Sequence, residues 1–479
     1  MTKKRSIVIL LIFMILLSSI SPSAAVSNKK VPKYVFMFIG DGLGSAQRQI
    51  AELYMQDELN DKSKKLYMNS LDVAGLNTTY SNDTLITDSA AAGTALATGH
   101  KTNNGYISVD ENNNKLTTIV EELEKKEVAT GLITTTRLTH ATPAAFASHN
   151  ISRNDEIGIA EDFLESGVDF FAGGGVRYFI PQNGEYDDKY IVKSKRKDDK
   201  NLLEEFKKKG YKVFSGEKGN KDFNNFKVNG EQKVFAALTY SHMPYEVDRI
   251  NEKMIVPSLA EMTKKGIEVL SKYNKGFFMM VEGGRIDHAC HANDATGSIM
   301  DTIAFDNAIK EAKEFYDKYP DETLILVVGD HETGGLGLGF GTNYFMNIEP
   351  LKKAKISVAD VLCRAYDGNR DSLYKLLDTK MGLKDLNEKE KKMLEIAMDK
   401  MDSDKKIEKA EYGGYAPVAI AATHIISERA NINWTTYAHS GTSIPLSAMG
   451  IGAEEFGGFK DNTEIAKVLA DLLKVKLTK

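Results

Sequence analysis

The chain has 479 residues, 42% of them hydrophobic and 27% charged, and a formal net charge of −5. That composition belongs to a globular protein able to bury a large core, and its mild acidity argues against a broad surface for nucleic acid or anionic lipid. An anionic substrate neutralised locally is not excluded, and the two cysteines, Cys290 and Cys363, give no disulfide framework, which a chain of this size does not need.

The amino terminus reads as a secretory signal peptide over residues 1 to 25. Lys3, Lys4 and Arg5 precede an apolar run from Ile7 to Leu17, and Ser23, Ala24 and Ala25 are small residues suited to cleavage. The run is short for a membrane span. Cleavage would remove these three positive charges and no acidic ones, taking the formal charge from −5 to −8. The mature chain, free of the membrane, is expected in the periplasm or the medium.

From residue 31 to about residue 340, apolar strand-like runs alternate with helical patterns, so the expected fold is α/β with a mostly parallel central sheet flanked by helices. One domain over residues 31 to 479 is expected. The first run, from Tyr34, has the apolarity of a strand buried on both faces and ends at Gly40 and Asp41. TDSAAAGTALATG, from Thr87, is built almost wholly of small residues and suits a closely packed helix with Ser89 at its start, where the helix dipole favours an alkoxide or a phosphate. Taken alone, Asp88 or Ser89 is an ordinary N-cap. No GxSxG elbow surrounds Ser89, so activation by a metal is the better account of it.

Leu116 to Lys126 reads as a helix and Val128 to Thr134 as a strand. The segment that follows carries His140, Thr142 and Arg153, and its His149 reads as structural. Arg153 suits a bidentate phosphate clamp. A helix over Asp155 to Ser166 and a strand over Val168 to Phe171 come next. Residues 172 to 232, with KSKRKDDK and GEKGNKDFNN, read as a surface excursion.

After a helix over Val256 to Tyr273, the run FFMMV ends in Glu282 and leads into VEGGRIDHACH, where Asp287 and His291 are four apart and share one helical face. A helix over Ser298 to Tyr316 precedes the third such run, which ends in Gly329, Asp330 and His331. Any one of these clusters is unremarkable as a solvated helix start; three strands each ending in a carboxylate are not, because buried carboxylates are costly and a metal offsets their repulsion. Ligand sites of open α/β sheets lie beyond the carboxyl ends of the strands. Residues 345 to 411 read as a helical insertion, with Asn387 and Glu390 as a capping box and Leu394, Ala397 and Met401 on one face. His439, in a Ser/Gly turn, is placed to complete a metal site begun by Asp287 and His291.

Asp41 in IGDGLG, Ser89 in TDSAAAGTALATG, Thr142 in HATPAA, Arg153 in SRN, VEGGRIDHACH, GDHETGG and AHSGT follow one another as in the alkaline phosphatases, and the sequence resembles that family from about residue 33 to residue 455. The resemblance implies a homodimeric enzyme hydrolysing small phosphate monoesters through a phosphoserine on Ser89. It implies one zinc held by Asp287, His291 and His439, and a second held by Asp41, Asp330 and His331 with the Ser89 oxygen. A third ion, usually magnesium, would be held by Asp41, Thr142 and Glu282. Nitrogen and carboxylate ligands suit zinc and all-oxygen ligands suit magnesium. By the same resemblance Arg153 and His288 face the phosphate, and His140 stands beside the third ion without ligating it. One branch of the family has Asp and Lys where this chain has His140 and His288, whereas others have His at both. An imidazole at position 140 is able to recruit a transition ion, so the identity of the third metal stays open. Two alternatives stand beside this reading: a related phosphodiesterase, phosphonate or sulfate esterase, against which Arg153 and the absence of a sulfatase-type C/S-x-P-x-R sequence count, and a non-catalytic metal- or phosphate-binding protein, against which Ser89 counts.

Overall fold

A computed structural model describes residues 30–184, 193–403 and 407–479; the expected signal peptide lies outside these residues. Ten strands among them form one sheet: β1 (Tyr34–Gly40), β2 (Val73–Asn77), β3 (Ala129–Arg137), β4 (Phe170–Gly174), β5 (Tyr211–Ser215), β6 (Lys233–Ala237), β7 (Phe277–Glu282), β8 (Thr323–Gly329), β11 (Ile444–Gly450) and β12 (Gly458–Lys460). Two short strands, β9 (Glu332–Thr333) and β10 (His439–Ser440), make a separate ribbon. The sheet order is β12-β2-β11-β8-β1-β7-β3-β4-β6-β5. β11 runs antiparallel to both of its neighbours, and every other pairing is parallel.

The central strands are apolar along their whole length because both faces are covered. In β1, Tyr34, Phe36 and Phe38 enter one core layer while Val35, Met37 and Ile39 enter the other. β7 and β8 divide in the same way, with Met279 and Ile325 on one side and Met280 and Leu326 on the other. Such strands sit naturally between helical layers. Helices Leu259–Leu270 and Ala295–Tyr316 cover the first face; Ser89–Thr98, Ile119–Lys125 and Asn462–Leu473 cover the second. Among the described residues no helix is long and apolar enough to cross a membrane.

Residues 172 to 232, expected as a surface excursion rather than a separate core, contribute to the edge of the one sheet. They carry the helices Leu202–Lys208 and Gly216–Asn225, and β5, which forms the sheet edge against β6. Most of the described lysines here are exposed, whereas Arg196, Phe206 and Phe223 are fully buried. The buried aromatics, not the abundant lysines, fix the path of this stretch. Residues 345 to 411 contain the helices Glu349–Lys353, Arg370–Met381 and Glu388–Asp402, and the short turn Lys409–Tyr412. Asn387 and Glu390 form a reciprocal capping box, with bonds of 3.0 and 2.8 Å, and Leu394 and Ala397 join the first core layer. β2, β11 and β12, which the sequence reading did not anticipate, extend the sheet beyond β8.

Leu326 is fully buried in the middle of β8, between β1 and β11. Leu326→Ala should cost about 2–5 kcal/mol through lost burial and a residual cavity. Chemical unfolding monitored by circular dichroism would report this as a lower midpoint.

Candidate metal centre

Strand register brings the acidic residues together. Gly40 is paired with Gly329, so Asp41 and Asp330 leave β1 and β8 side by side. Glu282, the last residue of β7, is level with Ile39 of β1 and with Thr134 of β3. The helix Arg285–His291 follows at once and carries Asp287 and His291. His439 arrives from far along the chain because β10 pairs with β9, opposite Thr333. A lone late histidine thus reaches the site through a two-residue ribbon.

Three groups result, each with ligand atoms within 4.8 Å of one another: Asp287, His291 and His439; Asp41, Asp330 and His331; and Asp41, His140 and Glu282. Asp41 is common to the last two. His291 Nε2 lies 3.3 Å and His439 Nε2 3.5 Å from Asp287 Oδ1, and the two Nε2 atoms are 3.2 Å apart. Their Nδ1 atoms lie against the carbonyl oxygens of Tyr437 and Thr87, at 2.7 and 2.8 Å. A carbonyl only accepts, so in the neutral rings each Nδ1 carries the proton and two bare Nε2 lone pairs face each other. That arrangement is repulsive unless a proton or a metal cation lies between them. His331 Nε2 is 3.4 Å from Asp41 Oδ1, 3.2 Å from Asp330 Oδ2 and 3.2 Å from Ser89 Oγ.

Burial, and then the neighbouring carboxylates Asp330, Asp287 and Glu282, push the Asp41 carboxyl well above its ordinary range. Burial followed by Asp287 does the same to Asp330. Glu282 is raised by burial despite hydrogen bonds from threonines. Burial pushes Asp287 up too, but His291 and His439 overcome it and hold that carboxyl well below the usual range. His291 rises to about 9 because Asp287 outweighs the opposing effect of burial. Asp41 Oδ1 and Oδ2, Asp330 Oδ2, Glu282 Oε1 and Thr142 Oγ1 are buried without a hydrogen-bond partner among the described residues. Buried polar atoms are seldom left unpaired, and these converge as a hard cation would require. The donor sets fit metal ions.

Ser89 opens the helix Ser89–Thr98, and Asp88 caps it by accepting from Ala91 N at 3.0 Å. Gly93 lets this helix approach Ala141–Ala147 closely: a Cβ there would lie 3.2 Å from Ala145 Cβ and 3.4 Å from Thr142 Cα. Ser89 and Thr142 thereby enter the same site. Arg153 Nη1 donates to Asp88 Oδ2 at 2.8 Å, and Nη2 to His140 Nε2 at 3.2 Å. His149 bridges Ser108 O and Glu121, apart from the three groups.

Several contributors were not singled out in the sequence. Asp88, read only as a cap, also holds Arg153. Thr333 Oγ1 donates to Asp287 Oδ1 at 2.6 Å. Thr134 and Thr136 both donate to Glu282 Oε2. The ThrThrThr run closing β3 was the available signal. His242 packs against His288 with ring centroids 4.4 Å apart, and nothing in its local sequence pointed to the site.

A family model for alkaline phosphatase matches residues 32–475. The chain belongs to the alkaline phosphatase family. It is 33% identical to alkaline phosphatase 3 of Bacillus subtilis over 470 residues, covering 95% of this chain and 93% of the relative. The crystal structure of Thermus thermophilus alkaline phosphatase is similar at a TM-score of 0.80 and 28% identity, over 93% of this chain and 92% of that one. A variant of TAB5 alkaline phosphatase, with aspartate replacing a histidine and magnesium bound in its M3 site, is similar at a TM-score of 0.63 and 28% identity, over 94% of this chain and 99% of that one. This chain is accordingly a phosphatase, and its sheet is that of the family.

In this phosphatase Gly42 turns the chain out of β1 at φ 71°, and a Cβ there would stand 2.8 Å from the Asp287 Cα. Gly42→Ala should cost about 1–2 kcal/mol from the left-handed backbone alone, and the contact with Asp287 should lower activity further. Thermal unfolding and turnover measured on the same preparation would separate the two losses.

Proposed function

We propose that this phosphatase hydrolyses small phosphate monoesters through a phosphoserine on Ser89, with two zinc ions in the first two groups and a third divalent ion at Asp41 and Glu282 of the third. Asp287, His291 and His439 would hold the first zinc. Asp41, Asp330 and His331, with the Ser89 oxygen, would hold the second. Asp41, Thr142 and Glu282 would hold the third ion, taken as magnesium, with His140 beside it. Bound there, the ions supply Lewis acidity at the attacking and leaving oxygens and acidify water. The observation that carries the reading is the position of Ser89 Oγ, 3.2 Å from His331 Nε2 at the start of a buried helix. A protein that only stored metal would need no nucleophile there.

The residues divide the work by chemistry. Ser89 Oγ attacks phosphorus in line, the ester oxygen leaves with its alcohol, and water later displaces the serine oxygen from phosphorus. The helix amino terminus favours the negative charge gathering at this position. Arg153 is held by Asp88 and presents a guanidinium to the non-bridging oxygens, which favours a monoester over a diester. The His140 Nε2 accepts from Arg153, so the proton of the neutral ring sits on Nδ1, suited to a water of the third site rather than to ligation. The magnesium bound in the M3 site of the TAB5 variant supports an ion at this place. The segment over residues 1 to 25 supports export, and family membership supports a homodimer.

Zinc-dependent release of inorganic phosphate from aryl monoesters, set beside diesters and sulfate esters, tests the substrate class; faster diester or sulfate turnover would reject it. Ser89→Ala should abolish trapping of labelled phosphate on the protein and lower turnover by roughly 10³-fold or more. Normal turnover in that variant would sink the assignment. His288→Lys adds a fixed positive charge beside the phosphate, so its inhibition constant for inorganic phosphate should fall below that of the unaltered protein. Equal constants would remove His288 from the phosphate site.

A further inference from the structure

The helix Arg285–His291 carries two histidines, about one turn apart, that are held in opposite ways. His291 Nδ1 meets the Tyr437 carbonyl oxygen, so its proton is on Nδ1 and its lone pair on Nε2. His288 Nδ1 lies 3.1 Å from Arg285 Nη1. A guanidinium only donates, so here Nδ1 accepts and the neutral ring carries its proton on Nε2. A hydrogen bond at one imidazole nitrogen in this way sets what the other can do.

We propose that Arg285 is a positioning residue that fixes His288 as an Nε2–H donor toward the phosphoryl group and bars it from ligating a metal through Nε2. The inference rests on the phosphomonoesterase reading for the location of the phosphoryl group. The His288 ring forms a three-ring cluster with His242 and His140, at centroid distances of 4.4 and 5.5 Å, with those two rings 5.8 Å apart, and His140 touches the Arg153 phosphate clamp. A protonated His288 would set N–H against N–H at Arg285.

Arg285 is itself firmly placed. Its guanidinium lies 3.5 Å from the Tyr245 ring centroid, its backbone N–H donates to Thr135 Oγ1 at 3.0 Å, and Nη2 donates to the Asp360 carboxylate. Asp360 belongs to the segment over residues 345 to 411, and its approach is pinned by Ser357 N on Asp248 Oδ1 at 2.8 Å and Val358 N on Asp294 Oδ2 at 2.9 Å. The insertion therefore reaches the site through one carboxylate, acting on His288 by way of Arg285.

Nitrogen NMR of zinc-loaded protein labelled at its histidine rings, with His288 assigned by the signals lost in His288→Gln, reads the tautomer directly. The Nε2–H form is expected. A lone Nδ1–H form, or a His288 nitrogen shifted by metal, overturns the proposal. Arg285→Met should mix the tautomers and raise both KM and the phosphate inhibition constant about 3–10-fold, as loss of one hydrogen bond implies, with a smaller change in kcat; Arg285→Lys, which restores a donor, should recover part of this. Asp360→Asn should act in the same direction more weakly, and it spares the buried cation should Arg285→Met fail to fold. In a His288→Gln background Arg285→Met should add less than about 2-fold, and an undiminished effect there overturns the proposal. Failure of the unaltered protein to hydrolyse monoesters would instead reject the phosphomonoesterase reading and leave the tautomer result standing.

Discussion

Like charges brought together out of water set the terms for the rest of this molecule. β8, β1 and β7 lie side by side and in register, and they deliver Asp330, Asp41 and Glu282 to one buried place, with Asp287 a turn further on. In a low-dielectric interior such a group either neutralises, finds cations or is not formed. Asp287 finds partial relief in His291 and His439; Asp41 and Asp330, raised by burial and by neighbouring carboxylates, Asp287 among them, do not. Long apolar strands with fixed register hold the carboxylates in place, and this rigidity turns mutual repulsion into a site that selects for cations.

Hydrogen-bond direction sorts the histidines within that frame. Backbone carbonyls of Tyr437 and Thr87 take the Nδ1 protons of His291 and His439 and leave their Nε2 lone pairs for a metal. Guanidinium groups act on His288 and His140 from the donor side and produce the opposite polarity at the far nitrogen. Side chains of one type, within one site, are thereby given different chemistry by whether their neighbour can accept or can only donate.

How much of this was legible in the sequence depended on the range of the interaction involved. β1, β7 and β8 announced themselves because burial on both faces leaves a continuous apolar run, and the residues ending them were conspicuous for the same reason. The Asn387 capping box was readable because its partners are three residues apart. β2 and β12 were not anticipated because they are short, lie at the sheet margin and are partly exposed, as in Val73–Asn77, and β11 was not because Pro445 and Ser447 interrupt its apolar run although most of it is buried. How residues 172 to 232 pack was not legible because charge dominates their composition, whereas Phe206 and Phe223 are among the fully buried residues. Among site residues, His439 was reached through the resemblance and a loop pattern, and only the pairing of β10 with β9 gives the physical reason for its position. Thr333, Asp88 and Arg285 act through side-chain bonds that join distant segments, and no local pattern encodes such bonds.

Net charge and site charge also part company here. The chain is acidic overall, which by itself would repel a phosphate dianion. Yet Arg153, Arg137 and Arg285 stand around the site, each held by an acid: Asp88, Glu156 and Asp360. Pairing costs each guanidinium part of its field but fixes its plane, and a fixed donor is worth more to an incoming oxygen than a mobile one. Asp41, Asp330 and Glu282 lie in the candidate metal groups, where cations, if bound there as proposed, would cancel their charge. An acidic protein can thus receive an anion because its negative charge near the site is committed, to arginines on one side and to the metal groups on the other, before the substrate arrives.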